Sequence, residues 1–344
     1  MADQTRLLDR LKLDPFVLSI LGAVAVACLL PARGGAAPIA EDATKVAVGL
    51  LFFLYGARLS PAEAWAGLKH WRLHLTVFAA TFGMFPLLGL LGRFLVPFAL
   101  TPQLYLGVLF LCTLPSTVQS SIAFTSIAKG NVAAAICSAS FSSLIGIVLT
   151  PLLVSALINT GGGSAFSASS VLDIVEQLLL PFLLGQLARR WIAGWIIRHK
   201  PALTIVDRGS ILIVVYAAFS AGVVAGIWHQ LTLFRFGALL VVNAALLGVA
   251  LLITSQAAKR LGFDREDRIT IVFCGSKKSL AAGLPMATVL FASQGAGAVG
   301  LIVLPLMLFH QIQLMVCAAL ARRWGARAEA GPATARAPEV IAPG

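Results

Sequence analysis

Ten apolar segments divided by short polar connections limit what this chain can fold into. They centre on Phe16–Leu30, Val46–Leu59, Leu73–Leu91, Leu104–Ala128, Val132–Ile158, Val171–Leu187, Ile211–Trp228, Phe236–Thr254, Ile269–Ala292 and Val299–Leu320. Most reach the roughly 17–25 residues that a membrane-spanning helix needs. The second is short and draws on Ala43–Lys45 for length. Hydrocarbon offers no partner to a bare backbone amide, so segments of this length cross it as helices. With 59% hydrophobic and 12% charged residues, an ordinary soluble domain is excluded. The expected fold class is an all-α polytopic membrane protein with ten transmembrane helices.

The net charge of +12 is a matter of orientation, not of nucleic acid. With the N-terminus inside and ten crossings, 20 of the 26 basic residues fall on the cytoplasmic side and only Arg33, Lys45, Arg93 and Arg235 fall outside. That bias is the positive-inside pattern. It predicts a multi-pass protein of the plasma (inner) membrane, with both termini cytoplasmic and the lipid bilayer as its partner. The five cysteines lie in apolar segments without a CxxC pair and the five histidines show no HExxH spacing, so no metal site is expected. Met1–Asp14 before an apolar run has the look of a signal peptide, but the length of the run and its charges favour an uncleaved first helix. Residues 1–323 read as a single membrane domain and 324–344 as a disordered cytoplasmic tail, the stretch Gly325–Gly344 being rich in Ala, Pro and Gly.

The uncharged loop Asn159–Ser170 (NTGGGSAFSASS) divides the spans five and five. Five is odd, so the second half enters the membrane inverted, as in many secondary transporters. The expected repeats are 14–158 and 171–323. Spans 5 and 10 carry matching proline stretches, Val148–Leu153 (VLTPLL) and Ile302–Met307 (IVLPLM). Spans 4 and 9, also equivalent, are the two most interrupted by polar residues. Span 4 breaks at Thr113–Ser121 (TLPSTVQSS), because Pro115 lacks an amide N–H and disfavours helix at Leu114. Ser116 and Thr117 are then candidate caps for a restarted half-helix. Span 9 breaks at Gly275–Ser279 (GSKKS), with Ser276 and Ser279 as candidate caps.

Within that second break stand two adjacent lysines, Lys277 and Lys278, roughly 13–15 Å into a hydrocarbon core about 30 Å thick at a rise of about 1.5 Å per residue. Each costs about 2.5–3.5 kcal/mol at that depth on insertion scales. Snorkelling reaches only the last turn of a span, so both must face protein, water or ligand. Two half-helix N-termini meeting near the midplane add positive dipole ends and unpaired amides. The expected substrate is therefore a small organic anion. Its candidate binding residues are Pro115, Ser116, Thr117, Gln119, Ser120, Ser276, Lys277, Lys278 and Ser279, with Lys277 and Lys278 as carriers of the coupled charge or proton. Among the acids, only Asp173 and Glu176 fall within a span, near its outer end. A midplane ion site built on Asp or Glu is therefore not expected.

Four stretches carry a family resemblance: Phe52–Ser60 (FFLYGARLS), Leu114–Val132 (LPSTVQSSIAFTSIAKGNV), Pro151–Leu153 and Phe273–Ala287 (FCGSKKSLAAGLPMA). Over roughly Asp14–Arg323 the chain resembles the bile acid:sodium symporter superfamily, in its SBF-like branch. The resemblance implies a panel and a core domain, helices 4 and 9 broken and crossing in the core, and substrate access from a cavity between the two. It also implies sodium sites, from which this sequence departs. Val272 stands where sodium-coupled members have a glutamate, Ser276 and Lys277 at their glutamine-asparagine pair, Ile122 at an asparagine, and Ala135 and Ala139 at hydroxyl ligands. No cofactor is expected, and a lysine ammonium takes the place of the sodium charge. The reading is a secondary transporter, not an enzyme. Two other classes fit less of the sequence: a non-transporting regulator that keeps the fold, and an intramembrane enzyme pairing Ser276 or Ser279 with a lysine.

Overall fold

A computed structural model describes residues 15–58, 70–158, 168–226 and 231–329. The first fourteen residues, the loop core 159–167 and the final stretch 330–344 lie outside the described residues. The described residues form helices joined by short turns: α1 (Pro15–Leu29), α2 (Ala36–Arg58), α3 (Trp71–Leu95), α4 (Pro102–Thr113), α5 (Val118–Ile127), α6 (Val132–Ile158), α7 (Ala168–Arg198), α8 (Lys200–Val224), α9 (Leu233–Arg260), α10 (Arg265–Gly275), α11 (Leu280–Leu290) and α12 (Ala296–Glu329). Each apolar segment read from the sequence coincides with a helix or a pair of helices. Among the described residues, α3, α6, α8, α9 and α12 are long and apolar enough to cross a membrane. The bent pair α4–α5 makes a sixth.

Local chemistry fixes the helix starts. Thr101 caps α4 by accepting the Leu104 N–H at 3.2 Å, with Pro102 at the first turn. Asp264 caps α10 by accepting the Asp267 N–H at 2.8 Å. Both supply an acceptor to amides that have no partner within the helix. Pro151 and Pro305, the matched prolines of the two halves, lie inside α6 and α12.

The helices sort into two packed groups. In the first, α2 lies along α7, and α8 packs on both α1 and α2. The α2–α7 crossing is close because Gly56 and Gly185 face each other's helix: a Cβ on Gly56 would overlap the Phe182 carbonyl, and one on Gly185 would overlap that of Phe53. Arg58, at the end of α2, forms an ion pair with Asp207 of α8. In the second group, α3 to α6 pack with α9 to α12. The groups meet where α8 touches α11 and α12, and where α7 touches α6.

Three expectations are corrected. The final helix continues to Glu329, so the tail does not begin at residue 324. Helix α7 starts at Ala168, inside the stretch read as loop. Asp207 belongs within α8, which begins at Lys200 rather than near Ile211, so Asp173 and Glu176 are not alone within long helices. Its charge is tolerated there because Arg58 neutralises it and part of the pair reaches the surface, with side chains 13% and 30% exposed.

Candidate functional site

The α4 helix stops at Thr113 and α5 resumes at Val118, turned by 63°. Likewise α10 stops at Gly275 and α11 resumes at Leu280. The two unwound stretches are joined to each other. Ser279 donates its N–H to the Pro115 carbonyl at 2.9 Å. Ser116 Oγ donates to the Cys274 carbonyl at 2.6 Å, and Thr117 Oγ1 to the Lys278 carbonyl at 2.8 Å. One turn further along α5, Ser121 Oγ donates to the Phe273 carbonyl at 3.1 Å. Each break thus supplies donors for carbonyls the other has freed, as buried backbone requires.

The serines divide their work differently from expectation. Ser279 caps α11 as predicted, accepting the Ala282 N–H at 3.2 Å. Thr117 occupies the cap position of α5 but its side chain caps nothing there, since its hydroxyl is committed across the crossing. Ser276 is the C-terminal cap residue of α10, its hydroxyl bonding back to the Val272 carbonyl at 2.6 Å, and its side chain does not cap the start of α11. Gln119 is exposed on the first turn of α5, and Ser120 is half-buried beside it.

The two lysines are both 0% exposed, yet their surroundings differ. Lys278 Nζ donates to three main-chain carbonyls, Thr81 at 2.8 Å, Cys112 at 2.9 Å and Leu114 at 2.7 Å. The Phe85 ring face lies 4.2 Å away. Lys277 Nζ has one hydroxyl, Ser120 Oγ at 3.3 Å, and otherwise the ring faces of Phe124 at 4.4 Å and Phe273 at 5.7 Å. An ammonium carries three donors, so Lys278 is fully provided for and Lys277 is not. Both lysines stand in the short stretch between α10 and α11. Of the neighbours expected for two lysines at that depth (protein, water or ligand), packed aromatic rings and backbone are what enclose them.

Several residues of the site went unnoticed in the sequence. Gln313 of α12 grips the Lys278 peptide at both ends, accepting its N–H and donating to its carbonyl, each at 2.9 Å. Ser142 Oγ accepts the Ser116 N–H at 3.0 Å, and Thr150 Oγ1 donates to the Thr113 carbonyl at 2.9 Å. A polar side chain inside an apolar helix was the available signal, since such groups are buried only with partners. Val272, Ala135 and Ala139 are buried and carry no side-chain oxygen.

A cavity of about 810 Å³ lies between the two helix groups, lined by α2, α8 and the ends of α11 and α12. Its walls are small and apolar, with hydroxyls from Thr44, Ser220 and Thr288. Lys45 at its rim is paired with Glu41 at 3.0 Å. A second, surface cavity of about 470 Å³ sits between α3 and α9. None of the nine residues singled out in the sequence lines either cavity.

Residues 14–326 match the model of the SBF-like CPA transporter family. The chain belongs to that family. Relatives of the SBF-like protein agree over nearly full length. It is 56% identical to Uncharacterized protein PA2026 of Pseudomonas aeruginosa, across 94% of this chain and 97% of that one. It is 52% identical to YfeH of Escherichia coli K12, a candidate symporter by its name, across 92% and 94%. It is 32% identical to Sodium/bile acid cotransporter 7 of Xenopus tropicalis, across 90% and 91%. The chain is thereby a member of a membrane transporter family.

Proposed function

We propose that this SBF-like protein is a secondary transporter of a small organic anion, built from ten spans as two inverted five-helix repeats. Alternating access turns on the broken spans α4–α5 and α10–α11. Helix contacts support the repeat because they come in mates five spans apart. Helix α2 packs on α7 as α8 packs on α1, α5 on α6 as α11 on α12, and α4 on α12 as α10 on α6. The cavity between the two helix groups has the volume of a small-molecule site, within the range of about 300–1,000 Å³. It provides the entry route.

The observation that carries the anion reading is Lys277. It is a buried ammonium with a single hydroxyl partner at 3.3 Å, beside the start of α5, whose cap residue Thr117 gives no side-chain bond to the helix. Helix start and ammonium have the same sign, and an anionic group satisfies both. Sodium coupling does not fit the side chains at Val272, Ala135 and Ala139, although sodium and bile acid stand in the names of several relatives.

Uptake into proteoliposomes tests this. Sulfated and carboxylated anions are offered with a sodium gradient, a proton gradient or none, to wild type and to Lys277→Gln. The expected result is uptake that is indifferent to sodium and at least tenfold lower in the variant. Sodium-driven uptake that survives in Lys277→Gln would overturn it. No uptake of any anion by folded protein would favour the non-transporting regulator.

A further inference from the structure

We propose that the carbonyl oxygens of Thr81, Cys112 and Leu114 form a monovalent-cation site whose resident ion is the protein's own Lys278 ammonium. The three oxygens lie 2.7–2.9 Å from Nζ, one for each N–H, and the Phe85 ring covers the remaining side at 4.2 Å. Cation–ring attraction of this kind strengthens when the charge is desolvated, and Lys278 is 0% exposed. Among the described residues no carboxylate forms a salt bridge with it. Nor do the described residues contain a cluster of His, Cys, Asp and Glu fit for a metal ion. An all-oxygen shell of uncharged carbonyl dipoles suits a single positive charge, as in potassium-selective filters.

The sequence creates this shell with two prolines. At Ala80–Met84 the α3 helix widens into a π turn, where the Phe85 N–H bonds to the Ala80 carbonyl. In that register the next donor, for the Thr81 carbonyl, would be Pro86, which has no N–H. In α4, Pro115 ends the helix, and the Ser116 N–H that would have met Cys112 goes instead to Ser142 Oγ. Leu114 lies beyond the last helical turn. The Cys112 and Leu114 carbonyls stand at the negative end of the α4 dipole. Three orphaned oxygens from two helices therefore point at one place, and the side chain that reaches it comes from the break in the other half of the molecule. The ammonium acts as a tethered counter-ion holding α3, α4 and the α10–α11 break together, so this place has no need of a free cation.

Removing the side chain should leave the shell open to a small cation. The test uses full-length protein in detergent with neither substrate nor gradient, so its outcome is independent of the transport reading. Apparent melting temperature is measured against rising ammonium, methylammonium, potassium or sodium, with choline fixing the ionic strength. Wild type and Lys277→Ala should be flat across the salts. Lys278→Ala should melt well below wild type in choline and recover along a saturable curve in at least one small cation. Lys278→Met, which fills the volume but gives the carbonyls nothing, should stay low throughout. Should Lys278→Ala fold only when extracted with a small cation present, the proposal is likewise supported. It is overturned if Lys278→Ala responds no more than Lys278→Met, if it fails to fold in every salt while Lys278→Met folds, or if wild type shows the same saturable rise.

Discussion

The backbone N–H of Ser279 donates to the carbonyl of Pro115 at 2.9 Å, so the helix breaks of the two halves are a single hydrogen-bonded unit. Neither unwound stretch can sit in a membrane alone, because its freed carbonyls would have no donors. Each is the other's solvent. This makes the crossing sensitive to the loss of individual hydroxyls in a way that ordinary helix kinks are not.

Among the described residues, Ser116→Ala strips the Cys274 carbonyl of its side-chain donor at the crossing, and Thr117→Val removes one of two side-chain donors from the Lys278 carbonyl. Leaving a buried acceptor unmet costs about 1–3 kcal/mol. Ser276→Ala removes only a bond back to the Val272 carbonyl, which the Ser276 N–H also satisfies. The expected order of thermal stability is therefore wild type, close to Ser276→Ala, then Thr117→Val, then Ser116→Ala. Melting curves by dye-free fluorimetry in detergent check it, and Ser276→Ala falling below Ser116→Ala would contradict the assignment.

Gln313→Leu keeps the size of the side chain and removes both bonds to the Lys278 peptide. The buried Lys278 N–H then loses its acceptor, at about 1–3 kcal/mol, while the Lys278 carbonyl keeps the Thr117 hydroxyl as a donor, so this variant should be clearly less stable than wild type, mainly through the unmet amide. Gln313→Glu restores the acceptor for the Lys278 N–H but gives the carbonyl no donor, and should recover at most part of the loss. Equal stability of the Leu variant and wild type would show that the grip on Lys278 is incidental.

Much of this site was legible in the residues. Pro115 removes a donor and so announces its break whatever surrounds it, and two lysines deep in an apolar run demand company on energetic grounds alone. What could not be read was which company. Thr117 looks like a cap because cap chemistry is local, but its hydroxyl is drawn to a carbonyl 161 positions away in the chain. Lys277 and Lys278 look alike in sequence, yet a single residue step separates an aromatic surrounding from a three-carbonyl shell. The π turn at Ala80–Met84 (ATFGM) has no proline inside it. Its consequence appears only at Pro86, outside the turn. Asp207 was placed outside a span because hydropathy falls near it, and its partner Arg58 lies in another span.

The Arg58–Asp207 pair should behave as one unit. Arg58→Ala leaves a carboxylate that is 13% exposed without its counter-charge, whereas Arg58→Ala with Asp207→Ala removes both charges. Breaking one side of a largely buried pair costs more than replacing both. The double variant should thus be more stable than Arg58→Ala, with a coupling energy of about 0.5–3 kcal/mol in a double-mutant cycle. Additive losses would mean that the two charges do not interact in the folded protein.

The close α2–α7 crossing gives the sharpest contrast available within one helix. Gly49 and Gly56 both lie in α2, but a Cβ at Gly49 meets nothing within 4 Å, while at Gly56 it overlaps the Phe182 carbonyl. Backbone cannot swing aside as a side chain can, so Gly56→Ala must force the helices apart, at about 1–3 kcal/mol or more. Gly49→Ala instead removes a flexible residue from an α-helix and should be neutral or stabilising by up to about 1 kcal/mol. Gly185→Ala should mimic Gly56→Ala, because it overlaps the Phe53 carbonyl from the opposite side. The two losses should not add, since helices already separated by one methyl have room for the second. Thermal melting of the three single variants and the Gly56→Ala/Gly185→Ala double measures this directly. Equal damage from Gly49→Ala and Gly56→Ala would show that the helices are not held at this distance.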